Sequence, residues 1–476
     1  MLEKFKNIYF VGIGGIGMSA LARWFNTHQY QVVGYDRTAT PLTDQLQQEG
    51  ITIHFEDDTD LIPASFRDPA TTLVVYTPAI PKTHQQLNFF QSQNFQIKKR
   101  AEVLGFLTRD RFTVAVAGTH GKTSTSSMIA HIIHYAKKNC TAFLGGILQD
   151  YESNLILSEK PDKETVVVVE ADEFDRSFLH LHPNIAILNS IDADHLDIYN
   201  DEQSVVNAYL AFTQKIKANG RLFIKKDLDL GPNLRKNQFS VKDFALEQVA
   251  DYQAQAIKAR PEAFEFDFVS ENITIKNIQL KVPGFHNIAN ATVSIATALE
   301  LGIKPDKIKE ALAVYKGVKR RFEYILQEDN ITYIDDYAHH PTEIEVFLQS
   351  VKAMFPSKKI TAIFQPHLFT RTRDFLEGFA ESLSLADQLI LLDIYPAREL
   401  PIAGVNSQLI LDKVSIEDKR LCSKEEIYTF LEKNHTEVVV TIGAGDIGRM
   451  VENIGTLLKQ RYVRQETEKD EKQVKI

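Results

Sequence analysis

Apolar positions along the chain fall in short continuous runs. Each run is closed by small or charged residues, and most are followed by a stretch of helical period. The first runs cover residues 7–11, 32–36 and 72–76, with a helical pattern over 18–26. The series resumes at 112–116, continues with a helical pattern over 126–135, and reaches further runs at 165–169 and 185–188. It closes with runs at 331–334, 360–364, 389–392 and 438–442 and a helix over 342–354. Unbroken aliphatic and β-branched runs predict strands buried on both faces, and their alternation with helices predicts parallel sheets. Residues 220–260 predict strands and loops without a motif, and 466–476 a charged, disordered tail.

Two of these runs open into glycine loops. The second is the more informative: Val116-Ala117-Gly118-Thr119-His120-Gly121-Lys122-Thr123-Ser124. Strand, glycine loop and helix together let backbone N–H groups cradle phosphate. Lys122 can reach β- and γ-phosphates, and the Thr123 hydroxyl can ligate Mg²⁺. Val116 stands where the strict eight-residue phosphate loop has its first Gly, so the form is shortened. The plain alternative is a glycine-rich turn without a nucleotide. The first loop, Gly12-Ile13-Gly14-Gly15-Ile16-Gly17, precedes a helix, and Asp36 ends the next strand. That is the dinucleotide pattern, but Gly12, Gly14, Gly15 and Gly17 would suit the diphosphate of a nucleotide sugar equally. Asp36 could accept from a ribose or base, or simply cap its strand.

Other strand ends carry acids and histidines. Glu170 ends one run, in Glu170-Ala171-Asp172-Glu173, and Asp194-His195 follows another. Mg·ATP needs oxygen ligands from outside the phosphate loop, which makes Glu170 a metal candidate and His195 a candidate for a second ion. The alternatives are a solvated loop acid and a capping or core histidine. Asn287 lies near the start of a helix running to Leu301 and could cap it or read an adenine edge. Arg320 and Arg321 sit at a linker, where arginine pairs are usually solvated; in a cleft they would clamp phosphate or carboxylate. The last runs end in Asp335-Asp336-Tyr337-Ala338-His339-His340 and Gln365-Pro366-His367, with Arg371 and Arg373 close behind.

Composition narrows the class. The 476 residues suggest two to four domains. A net charge of −9 argues against non-specific nucleic-acid or membrane-surface binding. The two cysteines, Cys140 and Cys422, show no ligand spacing, and no apolar run approaches the roughly 18 residues that span a bilayer. A cytoplasmic, reducing location is expected.

Taken together, Gly12–Met18, Gly118–Thr123, Glu170–Glu173, Asp194-His195, Pro283-Gly284 with His286-Asn287, Arg320-Arg321-Phe322 and Asp335–Glu343 resemble the Mur ligase family, in family order over nearly the full length. The resemblance implies three α/β domains. These are a UDP-binding Rossmann-like domain over residues 1–108, a central ATPase domain with a parallel sheet over 109–317, and a Rossmann-like domain over 318–465, before the charged tail at 466–476. It points to the branch that joins L-alanine to the lactyl carboxylate of UDP-N-acetylmuramate through an acyl phosphate, with ATP and two Mg²⁺ ions. The same resemblance assigns adenine to Asn287 and the nucleotide to Arg320 and Asp336. It places Tyr337, His339, Arg371 and Arg373 near the acyl phosphate and the incoming alanine. Two departures stand out. Leu368 and Phe369 replace the usual Arg-Tyr, and 209–212 lack the lysine that sibling ligases carbamylate. Rival readings are a recycling ligase that adds a tripeptide, an NAD-dependent oxidoreductase and a non-enzymatic nucleotide switch.

Overall fold

Three sheets organise the chain, and each grows from the apolar runs. The computed structural model describes residues 2–192, 199, 201–231, 234, 238–261, 263–397 and 399–473. The first sheet has the order β3-β2-β1-β4-β5. Its strands are β1 (Asn7–Val11), β2 (Gln31–Tyr35), β3 (Thr52–His54), β4 (Thr72–Tyr76) and β5 (Gln96–Lys99). Every pairing in it is parallel, and β1 is buried at all five positions, as a central parallel strand covered on both faces must be.

The second sheet has ten strands in the order β15-β14-β13-β12-β11-β10-β6-β9-β7-β8. Its strands are β6 (Phe112–Ala117), β7 (Cys140–Leu148), β8 (Ser153–Ile156), β9 (Val166–Glu170), β10 (Ile185–Leu188), β11 (Arg221–Lys225), β12 (Ser240–Leu246), β13 (Tyr252–Ala259), β14 (Phe264–Ser270) and β15 (Thr274–Leu280). β6 lies between β9 and β10, parallel to both, so the residues after all three strands emerge at one edge. The third sheet has the order β16-β17-β21-β18-β19-β20. Its strands are β16 (Glu323–Gln327), β17 (Thr332–Asp336), β18 (Ile360–Phe364), β19 (Gln388–Leu391), β20 (Lys419–Leu421) and β21 (Val438–Ile442). Only β16 runs antiparallel there, a strand absent from the sequence expectation because its alternation is broken by a bulge between Tyr324 and Leu326.

The chain divides into two compact units, one comprising residues 1–255, 267–278 and 289–315 and the other 256–266, 279–288 and 316–476. In the first unit a single hydrophobic cluster joins the first two sheets, from Phe10, Leu21 and Phe25 to Ala115, Phe143, Phe178 and Leu188. Tyr209 and Phe212, in the stretch that lacks a lysine, belong to this core, and Phe212 stacks on Phe178 at 5.1 Å. In the second unit Tyr333, Ile363, Ile390, Val439 and Phe430 form a separate core.

Two expectations are corrected. The helix after the phosphate loop begins at Lys122, not at residue 126, because the five serines and threonines over 123–127 hide its period. The expected disordered tail is instead the continuation of a helix over Val451–Gln473, and residues 474–476 lie outside the described ones. Glu, Gln, Lys and Arg propagate a helix once a packed segment has nucleated it.

Candidate active site

The phosphate loop is shaped by backbone that only glycine tolerates. Gly118 has φ +128° and Gly121 φ +78°. A Cβ on Gly118 would stand 2.8 Å from the Ser190 amide nitrogen, and one on Gly121 2.7 Å from Asn290 Oδ1. Lys122 opens the helix and folds back. Its Nζ donates to Gly118 O at 2.7 Å, to Thr119 O at 3.3 Å and to both Glu173 oxygens at 2.9 and 2.8 Å. Burial alone would depress the ammonium, but Glu173, Asp172 and Glu170 outweigh it and hold Lys122 protonated, with its pKa raised.

Thr123 and Glu170 meet. Thr123 Oγ1 donates to Glu170 Oε2 at 3.1 Å; Ser126 Oγ at 3.2 Å and the Gly145 N–H at 2.5 Å donate to Oε1. A hydroxyl and a carboxylate side by side at a phosphate loop form the hard oxygen donor set that suits Mg²⁺ with phosphate oxygens. The loop after β10 braces the rest. His120 N–H donates to Ser190 Oγ at 2.8 Å, its ring lies 3.0 Å from Asp192 Oδ2, and the Asp192 N–H donates to Thr119 Oγ1 at 2.9 Å. Ser124 is half-buried in the same helical turn. Asp194 and His195 lie outside the described residues. Glu173, the direct partner of Lys122, escaped the sequence reading although it ends the Glu170–Glu173 run.

The first glycine loop lies in the same unit. Gly12 has φ +88°. Asp36 accepts the Gly14 N–H at 2.7 Å and the Thr38 N–H at 3.2 Å, so its carboxylate spans strand end and glycine loop. A cavity of about 350 Å³ is lined by Gly15 and Gly17 from this loop, by Lys122 and Glu170, and by Arg100 and Asp172. One cavity thus joins the first glycine loop to Lys122, which follows the second, and to Glu170.

The second unit holds another polar cluster. Asp336 is buried and accepts the Phe322 and Ala338 N–H groups, each at 2.7 Å. Burial pushes its carboxyl up to about 7 against the pull of Arg321. Arg320 Nε donates to Asp335 at 3.0 Å and Nη2 to Gly443 O at 2.6 Å. Arg320 and Arg321 both lie over the Tyr337 ring, at 5.3 and 5.0 Å. Burial pulls His339 down to about 4, opposed by Glu343 and assisted by Arg371. Arg371 is buried, whereas Arg373 is exposed and donates to Asp374 at 2.7 Å; two residues apart on a helix, they take different faces. Asn287 stands inside the helix Phe285–Glu300 and not at its cap, and its Nδ2 donates to Pro283 O at 2.8 Å.

Comparison with known proteins decides the family. Three family models match in order: the Mur ligase family, catalytic domain, over residues 7–112; the Mur ligase middle domain over 116–298; and the Mur ligase, glutamate ligase domain, over 320–445. A UDP-N-acetylmuramate–L-alanine ligase from Flavobacterium johnsoniae is 47% identical over 459 residues, 96% of this chain and 99% of the relative. The chain belongs to the Mur ligase family. Another UDP-N-acetylmuramate–L-alanine ligase, from Flavobacterium psychrophilum, is 48% identical over 97% of this Mur ligase and 100% of its own length. The crystal structure of UDP-N-acetylmuramate-alanine ligase MurC from Thermotoga maritima superposes with a TM-score of 0.79 at 28% identity, covering 96% of this chain and 99% of that one. It has the same three-domain α/β architecture. At the Mur ligase position where Arg-Tyr was expected, Leu368 takes φ +72° and its N–H donates to Tyr395 O at 3.0 Å.

Proposed function

We infer that this Mur ligase joins L-alanine to the lactyl carboxylate of UDP-N-acetylmuramate, with ATP converted to ADP and phosphate. The observation that carries the reading is the single cavity bounded by the sugar-nucleotide loop on one side and by Lys122 and Glu170 on the other. A substrate carboxylate entering from Gly15 and Gly17 arrives beside the γ-phosphate. Its oxygen attacks that phosphorus, the bond to ADP breaks, and an acyl phosphate forms. The amine of alanine then attacks the acyl carbon, loses a proton, and the tetrahedral intermediate expels phosphate.

Two anions must meet in the first step, and Lys122 supplies positive charge where they do. Thr123 and Glu170 would hold Mg²⁺, which when bound neutralises phosphate oxygens. A second ion at His195 belongs to the same proposal, as do adenine at Asn287, the nucleotide contacts of Arg320 and Asp336, substrate binding by Arg321, and the alanine half-reaction at Tyr337, His339, Arg371 and Arg373. So do the domain limits 1–108, 109–317 and 318–465. Among the described residues no helix is long and apolar enough to cross a membrane, and we place the enzyme in the cytoplasm with its nucleotide substrates.

Phosphate release tests the reading. Turnover should require ATP and UDP-N-acetylmuramate and rise with L-alanine. Turnover with a tripeptide in place of alanine would assign the enzyme to the recycling branch instead. Titration with Mg²⁺ or Mn²⁺, followed by metal binding to wild type and to Glu170→Gln, tests the metal assignment.

A further inference from the structure

Arg100 begins the helix Arg100–Thr108 directly after β5, and its guanidinium lines the 350 Å³ cavity. Neighbouring cations are all engaged at close range. Lys98 reaches Glu102 at 2.9 Å, Lys99 reaches Asp175 at 2.6 Å, and Lys122, which lines the same cavity, reaches Glu173 at 2.8 Å. Arg100 differs. Its one hydrogen bond among the described residues is long, from Nη2 to Asp172 Oδ2 at 3.4 Å. A guanidinium has five N–H donors in a rigid fork, matched to two oxygens of a carboxylate or phosphate. Arg100 lines the cavity, and the first turn of the helix Ile16–Thr27 holds no acid to engage it.

The position of the group is set by close packing. A Cβ on Gly17 would lie 2.5 Å from Arg100 Nη1, so the guanidinium rests directly against the first loop where residue 17 has no side chain. Arg100 therefore stands between Gly17 of the first loop and Asp172, and shares the cavity wall with Glu170 and Lys122. The volume suits a hexose-sized group.

We propose that Arg100 is a substrate-binding residue whose guanidinium grips an oxyanion of the UDP-sugar inside this cavity. The assignment rests on the proposed reaction. Two groups of one substrate share the required chemistry, its diphosphate and its lactyl carboxylate. Binding of UDP-N-acetylmuramate and of UDP-N-acetylglucosamine, which has the diphosphate but no lactyl group, separates them.

Calorimetric titration of the full chain is the test, with Arg100→Gln and Arg100→Lys beside wild type. Arg100→Gln should weaken UDP-N-acetylmuramate about 10- to 100-fold, the range for a lost hydrogen bond to a charged group. Arg100→Lys should recover only part of the loss, because a point charge replaces a fork. A non-hydrolysable ATP analogue should bind all three proteins equally, which reports an intact phosphate loop. Weakening of both UDP-sugars assigns the grip to the diphosphate; weakening of UDP-N-acetylmuramate alone assigns it to the carboxylate. If Arg100→Gln binds both sugars within twofold of wild type while still binding the ATP analogue, the proposal is overturned. Should wild type neither bind UDP-N-acetylmuramate nor release phosphate with alanine, the proposed reaction itself fails.

Discussion

Asp336 and His339 stand three residues apart in the second unit and titrate in opposite senses. Unfolded, an aspartate loses its proton near pH 3.9 and a histidine near pH 6.5. Folded Asp336 keeps its proton up to about 7, chiefly through burial. From about pH 4 to 7 it holds a proton the unfolded chain has lost, so its contribution to stability falls as pH rises. Folded His339 stays neutral down to about 4, again through burial. Between about pH 4 and 6.5 the unfolded chain gains a proton that the folded ring refuses, so this contribution rises with pH. The two slopes oppose each other, with Glu343, Arg321 and Arg371 as the charged neighbours of the pair. Removing one should expose the other. Thermal midpoints of Asp336→Asn should climb more steeply than wild type between about pH 4.5 and 6.5, and those of His339→Gln should decline. Parallel profiles for all three proteins would rule out the opposed titration. Both residues were visible in the sequence as polar groups after a strand. Their pKa shifts were not, because desolvation depends on what packs over β17. Glu173 illustrates the same limit: its acid is legible, but its pairing with Lys122 is made by the turn that follows β9.

At the scale of elements, glycine loops were the most legible part of the chain, since their backbone demands are local. Gly121→Ala forces a side chain into φ +78° and against Asn290, at a cost of about 1–2 kcal/mol from the backbone alone. The expected result is at least a tenfold loss of ATP affinity by calorimetry, with far-ultraviolet circular dichroism unchanged. The hairpin β7–β8 was invisible by comparison, because it carries no motif and acts only through placement. From β7, Gly145 gives its N–H to Glu170. From β8, buried Asn154 donates to Ile16 O at 2.5 Å and Ser19 Oγ at 2.9 Å and accepts from Arg23. Arg23 in turn grips both oxygens of Glu49 at 2.9 Å. One hairpin thus holds the candidate metal ligand and the helix that opens the first glycine loop. Asn154→Ala leaves buried partners unsatisfied and should cost about 1–3 kcal/mol of stability. It should also raise KM for UDP-N-acetylmuramate more than it lowers kcat in steady-state kinetics. An unchanged KM would show that the hairpin only supports the fold.

At the scale of the whole molecule, the two units carry different parts of the chemistry. Both glycine loops, Lys122, Glu170 and the cavity belong to the first. Arg320, Asp336, His339 and Arg371 belong to the second. Strand and helix alternation made the central parallel strands of all three sheets legible, but not this grouping, which arises because one apolar cluster runs through the first two sheets. The division has a kinetic consequence. If the UDP-sugar is held wholly by the first unit, a change in the second should leave its affinity untouched. Arg371 is the sharpest probe, a buried cation whose neighbour His339 is kept neutral. Arg371→Ala should lower kcat/KM for alanine by about 10²–10³, the range for one lost electrostatic stabiliser. The Kd for UDP-N-acetylmuramate should stay within twofold of wild type. The same loss falling on that Kd, with alanine kinetics intact, would instead assign Arg371 to the sugar nucleotide and leave the amine to other residues.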